Sequence, residues 1–155
     1  MVYYLIAIVI IILDQWTKWL VDKNMELRES IPIIDGVLHL TSHRNAGAAF
    51  GMMQGQMWLF FIATIIVVAV VIYLIQFKTN NSKWFGTLLG LVLGGAIGNF
   101  IDRMFRGEVV DFIDVYIFTY NFPIFNVADM ALVTGVIMWV IHAFKEEKKA
   151  KEVKS

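Results

Sequence analysis

Four long apolar segments constrain this chain more than any other feature. A bilayer hydrocarbon core is about 30 Å thick, and an α-helix needs about 20 residues to cross it. The first segment runs from Val2 to Val21 and is interrupted late by Asp14 and Lys18. The second, Met57–Ile75, has no charge and only Thr64 as a polar break. The third, Trp84–Ile101, is uncharged until Asp102, and the fourth, Ile124–Phe144, carries Asp129 near its start and His142 near its end. Hydrophobic residues make up 59% of the 155-residue chain, against about 45–50% in a soluble domain. The expected fold is an all-α integral membrane protein with four transmembrane helices, spanning residues 2–21, 57–75, 84–101 and 124–144. The whole of 1–155 reads as one membrane-embedded domain, without repeats.

The apolar run Val2–Leu13 resembles the core of a secretory signal. No basic residue precedes it beyond the terminal amine, and Asp14 and Lys18 stand where a small-residue cleavage site would fall, so it reads as a retained helix. Lys78 and Lys83 lie between the second and third spans, and the tail holds Lys145, Lys148, Lys149, Lys151 and Lys154. Basic residues favour the cytoplasmic side, so both termini are expected there. The outer loops then cover about 22–56 and 102–123, and the tail 145–155 reads as a frayed helix end. Within the first outer loop, Gly36–Thr41 alternates enough for a short strand lying on the outer membrane face.

This topology brings every unusual polar group to one layer at the outer membrane face. Asp14 and Lys18 end the first span, Asn45 is in the first outer loop, and Asn99, Asp102 and Arg103 end the third span. Asp111 and Asp114 follow in the second outer loop, and Asn126 and Asp129 start the fourth span. A carboxylate among apolar neighbours is costly unless paired, protonated or used, and Asp111 lies within Val109–Ile113. Structural roles compete for each group. Asp14 and Lys18, at i and i+4, can simply pair on one helix face. Asp102 beside Arg103 reads as a solvated charge pair, and Asn126 with Asp129 has capping-box spacing. Asp114 reads as an exposed loop residue. Gly86, Gly90, Gly94 and Gly98 form a ridge suited to tight packing in the bundle or to a substrate helix. Trp16, Trp19, Trp58, Trp84 and Trp139 read as interfacial anchors.

The available chemistry is narrow. With no cysteine, thiol nucleophiles, iron–sulfur sites and disulfides are excluded. The serines lack nucleophile-like contexts, and His39, His43 and His142 lack metal-ligand spacing, so no metal is expected. Carboxylates remain. Two aspartates sharing a proton can activate water, one as base and one as acid.

The motifs resemble those of lipoprotein signal peptidase (signal peptidase II), a family of bacterial membrane aspartic peptidases. Asp14-Gln15-Trp16-Thr17-Lys18 is similar to its D-Q-x-T-K, and Asn45–Gly51 to its N-x-G-A-A-F segment. Gly94–Arg103 is similar to G-G-A-x-G-N-x-x-D-R, Val109–Phe112 to V-V-D-F, and Phe125–Asp129 to F-N-x-A-D. The resemblance covers nearly the whole chain, in order. It implies a four-helix membrane bundle with a small extracytoplasmic β-sheet cradle and a short outer-face helix. It implies Asp111 and Asp129 as the catalytic pair. Asn45, Asn99, Arg103 and Asn126 would orient substrate or dyad, with Asp14, Lys18, Gly47, Asp102, Val110, Phe125 and Ala128 binding or supporting. The implied substrates are diacylglyceryl-modified prolipoproteins, cut just before the lipidated cysteine near the outer leaflet of the cytoplasmic membrane. The implied inhibitors are globomycin-like cyclic peptides. Membrane lipids are expected partners; no cofactor or nucleic acid is expected, and four spans can enclose the site in a monomer. Two rivals make different demands. A proton-coupled carrier would need ionisable groups at mid-depth, and a non-catalytic scaffold would tolerate asparagine at positions 111 and 129.

Overall fold

The computed structural model describes residues 1–47, 56–79, 82–118 and 120–152. The apolar segments form α1 (Val2–Asn24), α2 (Met57–Lys78), α3 (Lys83–Arg106) and α4 (Val127–Glu152). All four are long and apolar enough to cross a membrane. They overrun the expected spans mainly at charged ends, where long side chains let a helix continue into the interface. The overrun is greatest in α4. Residues 145–152, expected to fray, stay helical and carry the i, i+4 pairs Lys151–Glu147 at 2.6 Å and Lys148–Glu152 at 3.9 Å.

α3 is the central helix, packed by α1 on one side and α4 on the other, and its glycines explain how closely. A Cβ on Gly90 would fall 2.7 Å from the Tyr3 carbonyl oxygen, and one on Gly94 would fall 2.9 Å from that of Ala7. On the α4 side, a Cβ on Gly95 would fall 2.3 Å from the Ala128 carbonyl oxygen. The ridge is therefore filled from within the bundle, as close backbone packing requires, and leaves no groove there for a substrate helix. α2 packs mainly on α3 and buries only Val71 and Ile75 among its residues. Its other faces are apolar and open to lipid.

The four helices carry a small antiparallel sheet, so the all-α label does not hold, although the resemblance implied a small sheet; it has more strands than the single one read at 36–41. β1 (Ser30–Ile34), β2 (Leu38–Asn45), β3 (Val109–Ile117) and β4 (Tyr120–Asn121) form one antiparallel sheet in chain order. Gly36, with φ of +70°, makes the β1–β2 turn. β2 pairs with β3 across the long gap in sequence, setting Asn45 opposite Val109 and His43 opposite Asp111. Gly107, at φ +78°, ends α3 in the left-handed region, so β3 begins almost at once. The sheet thus caps the end of the bundle where α1 and α3 finish and α4 starts. The short outer-face helix is not found among the described residues; segment 48–55, which includes Ala48–Gly51 of the loop motif, lies outside them.

Candidate active site

The local folding of two segments sets the site. Phe125 forms a backbone bridge to Ile113 of β3, donating N–H to its carbonyl at 3.1 Å and accepting from its N–H at 2.8 Å. The next residue, Asn126, starts α4. It and Asp129 make the reciprocal capping box their spacing suggests. The Asp129 N–H donates to Asn126 Oδ1 at 2.9 Å, and the Asn126 N–H to Asp129 Oδ2 at 3.2 Å. The capping role is therefore real, but it occupies only one oxygen of Asp129.

Side-chain amides hold the two carboxylates. Asn126 Nδ2 donates to Asp111 Oδ1 at 2.6 Å, and Asn45 Nδ2 donates to Asp111 Oδ2 at 2.9 Å. Asn99 Nδ2 donates to Asp129 Oδ1 at 2.6 Å. Asn126 also donates to Asn99 Oδ1 at 3.1 Å, joining the two halves. Asp111 is 1% exposed. Burial pushes its carboxyl up to about 7, and the neighbouring charge of Asp129 adds to this, against the hydrogen bonds from Asn45 and Asn126. A carboxyl held near 7 is partly protonated at neutral pH.

Both aspartates line a cleft of about 300 Å³. One wall is polar, with Asn45, Asn99 and Arg103; the other is apolar, with Phe122–Phe125 and Val133. Arg103 lies over the Phe60 ring, 4.6 Å from its centroid, and its Nη2 donates to the Gly47 carbonyl at 3.5 Å. Its Nε–H is buried without a partner among the described residues. A buried donor left open beside two carboxylates is suited to a ligand's carbonyl oxygen. Gly47 N–H in turn donates to Asn45 Oδ1 at 3.0 Å, fixing that amide's direction.

Behind the cleft lies a second cluster, wholly enclosed. Lys18 is 0% exposed and reaches Asp14 Oδ2 and Asp102 Oδ2 at 2.8 Å each, and Asn99 Oδ1 at 3.0 Å. The three ammonium protons meet three acceptors. The carboxylates reach onward: Asp14 Oδ1 accepts from Ala128 N–H at 2.9 Å, and Asp102 Oδ2 from Val110 N–H at 3.3 Å. Ala128 precedes Asp129, and Val110 precedes Asp111. One buried ionic cluster thus grips the backbone next to both cleft aspartates. The reading of Asp102 as a solvated partner of Arg103 is overturned: Asp102 is 0% exposed and faces Lys18. Adjacent residues on a helix point to different sides.

Asp114 also differs from expectation. It is a strand residue, 3% exposed, accepting from Thr41 Oγ1 at 2.8 Å and Tyr116 Oη at 3.4 Å. Three positions from Asp111, it falls on the opposite face of β3 and outside the cleft. Gln15 was not singled out in the sequence, yet its Nε2 touches Asp14 Oδ2, Gly98 O and Asp102 Oδ1 at 3.1–3.2 Å. Its place between Asp14 and Lys18 in the first motif was the available signal. Among the described residues, no three potential ligands from His, Asp and Glu come together to hold a metal.

Comparison with known proteins gives a consistent picture. The family described as Signal peptidase (SPase) II matches residues 6–145. The lipoprotein signal peptidase of Halalkalibacterium halodurans is 61% identical over 155 residues, covering 100% of this chain and 99% of that protein. That of Anoxybacillus flavithermus is 60% identical over 151 residues, covering 97% and 90%. A solved bacterial membrane enzyme, determined by the in meso method at 2.3 Å resolution, is 42% identical with a TM-score of 0.91, over 96% of this chain and 90% of that one. A second, at 1.9 Å resolution, is 44% identical with a TM-score of 0.85, over 93% of each.

Proposed function

This chain belongs to the signal peptidase II family of membrane aspartic peptidases, and on that premise we propose how it works as a lipoprotein signal peptidase. It cuts diacylglyceryl-modified prolipoproteins just before the lipidated cysteine, with a water held between Asp111 and Asp129. The single observation that carries this reading is the pairing of those two carboxylates in one cleft, cross-tied by Asn126 and Asn99.

Asp111, held up at about 7, is the partner that keeps the proton at rest and donates it to the scissile carbonyl oxygen. Asp129 takes a proton from the water as the water oxygen attacks the carbonyl carbon. The tetrahedral intermediate collapses with cleavage of the C–N bond, and a proton passes to the leaving amine of the cysteine. Asn45 and Asn126 hold Asp111, and Asn99 holds Asp129. The open Arg103 Nε–H receives a substrate backbone carbonyl. The apolar wall from Phe122 to Phe125 receives the signal-peptide side chains flanking the bond, while the acyl chains stay in lipid. Asp14, Lys18 and Asp102 touch no substrate and act through the backbone of Val110 and Ala128. The lysine-rich tail and the Lys78–Lys83 link support cytoplasmic termini, with the cleft at the outer leaflet. The enzyme works as a monomer, and globomycin-like cyclic peptides compete for the cleft.

The test is cleavage of one prolipoprotein, with and without its diacylglyceryl group, by the purified protein in detergent, with products identified by mass. The lipidated form should be cut to leave the modified cysteine as the new N-terminus. Equal cutting of both forms, or a cut elsewhere, would sink the substrate assignment.

A further inference from the structure

The end of the bundle opposite the aspartates holds a feature that peptide hydrolysis does not use. A cavity of about 610 Å³ lies where α2 ends, α3 begins and α4 leaves the bundle. Lys78, Ser82, Phe85, Trp139, His142 and Lys145 line it, together with the carboxylate of Glu146. Along α3, Ser82 and Phe85 precede Arg103 by 21 and 18 residues, about 27–32 Å at 1.5 Å per residue. The cavity and the cleft therefore sit at opposite ends of the bundle.

Its chemistry is specific. The lysines come from helices far apart in sequence, both side chains are exposed, and neither is ion-paired among the described residues. Ser82 caps α3 by accepting from Phe85 N–H at 3.1 Å, which leaves its hydroxyl proton free to donate. The first-turn N–H groups of α3 add partial positive charge at the same place. Phe85 supports the floor, stacked on His142 at 5.6 Å between ring centroids and tilted against Trp139 at 5.9 Å. Next to these positions in the sequence, Phe77, Trp84 and Phe144 are 62%, 52% and 68% exposed. A free anion would have no use for that apolar border. A phosphate carrying acyl chains would.

We propose that this cavity binds the headgroup of an anionic phospholipid from the leaflet opposite the active site. Lys78, Lys145 and the Ser82 hydroxyl hold the phosphate diester, Trp139 and Phe85 pack against the glycerol, and the chains run along Phe77 and Phe144. The site rests on the membrane-spanning fold and not on the peptidase reading, so either can fail alone. The lipid would brace the α2–α3 link against α4, far from the chemistry.

The experiment is native mass spectrometry of the full-length protein from mixed micelles containing equal phosphatidylglycerol and phosphatidylcholine. The wild type should retain phosphatidylglycerol preferentially. Lys78→Gln with Lys145→Gln should lower that retention on the order of tenfold. Lys148→Gln with Lys151→Gln, which removes the same charge outside the cavity, should leave it unchanged. Thermal melts check each pair, and either single cavity substitution should give a severalfold loss if the pair does not fold. Equal retention of the two lipids, or equal loss in both double variants, would overturn the site. Displacement of the lipid by millimolar inorganic phosphate would overturn its assignment to a lipid headgroup.

Discussion

Replacing Lys18 by Met tests the enclosed cluster most severely. Methionine keeps the length and most of the volume of the lysine but removes the one cation between Asp14 and Asp102. All three side chains are 0% exposed, and the lysine touches each carboxylate at 2.8 Å. Removing one member of a buried ion pair costs about 3–5 kcal/mol. A second route gives a similar value. Without the lysine, Asp14 and Asp102 face each other with Arg106 Nε, 3.6 Å from Asp102 Oδ1, as the remaining cation among the described residues, and one carboxyl would have to take up a proton. Doing so at pH 7, from a reference value of about 3.9, costs about 4 kcal/mol at about 1.4 kcal/mol per unit. That route also sets the pH dependence: near pH 5 the cost falls to about 1.5 kcal/mol. Unfolding in mixed detergent–SDS micelles, followed by tryptophan fluorescence, would measure both. Adding Asp102→Asn to Lys18→Met should restore part of the loss, although Asp102→Asn alone should destabilise. A cost below about 1 kcal/mol, or one independent of pH, would refute the view that Lys18 neutralises a buried pair.

Other expectations are equally open to measurement. The raised Asp111 carboxyl favours its acid form in the folded state, so its contribution to stability is complete below 3.8 and lost as pH rises through about 7. Asp111→Asn should therefore gain stability relative to wild type between pH 4 and 8, by at most about 4 kcal/mol; a constant difference across that range would contradict the assignment. Gly95→Ala must push α3 and α4 apart, since its Cβ would lie 2.3 Å from the Ala128 carbonyl oxygen. A loss of about 1–3 kcal/mol together with most of the activity is expected, and wild-type thermal stability and turnover would show that the helix contact is looser than described.

The parts of this fold that follow a local rule were readable in the sequence. The four spans show as long apolar runs, and the Asn126–Asp129 box shows as a spacing of three. The gathering of polar groups at one end follows from span direction alone. What escaped depends on partners distant in the chain. β3 lacks period-two alternation because residues 109–112 are all buried, so its carboxylates suggested a loop. Asp114 looked solvated because its partner Thr41 lies on another strand. Asp102 was read with its sequence neighbour Arg103, whereas a helix turns it towards Lys18 on α1. The same cluster shows how motif positions outside the cleft bear on the site: Asp14 and Asp102 hold the backbone beside the two aspartates.

The central claim is that Asp111 and Asp129 work as a single proton-sharing unit. The most direct measurement compares turnover of a diacylglyceryl-modified prolipoprotein by wild type, Asp111→Asn, Asp129→Asn and the double variant, each confirmed to be folded. Groups that act as a unit are strongly non-additive. Each single variant should lose on the order of a thousandfold or more, and the double variant should lose little beyond that. Near-normal turnover in either single variant, or losses that multiply in the double, would contradict the account.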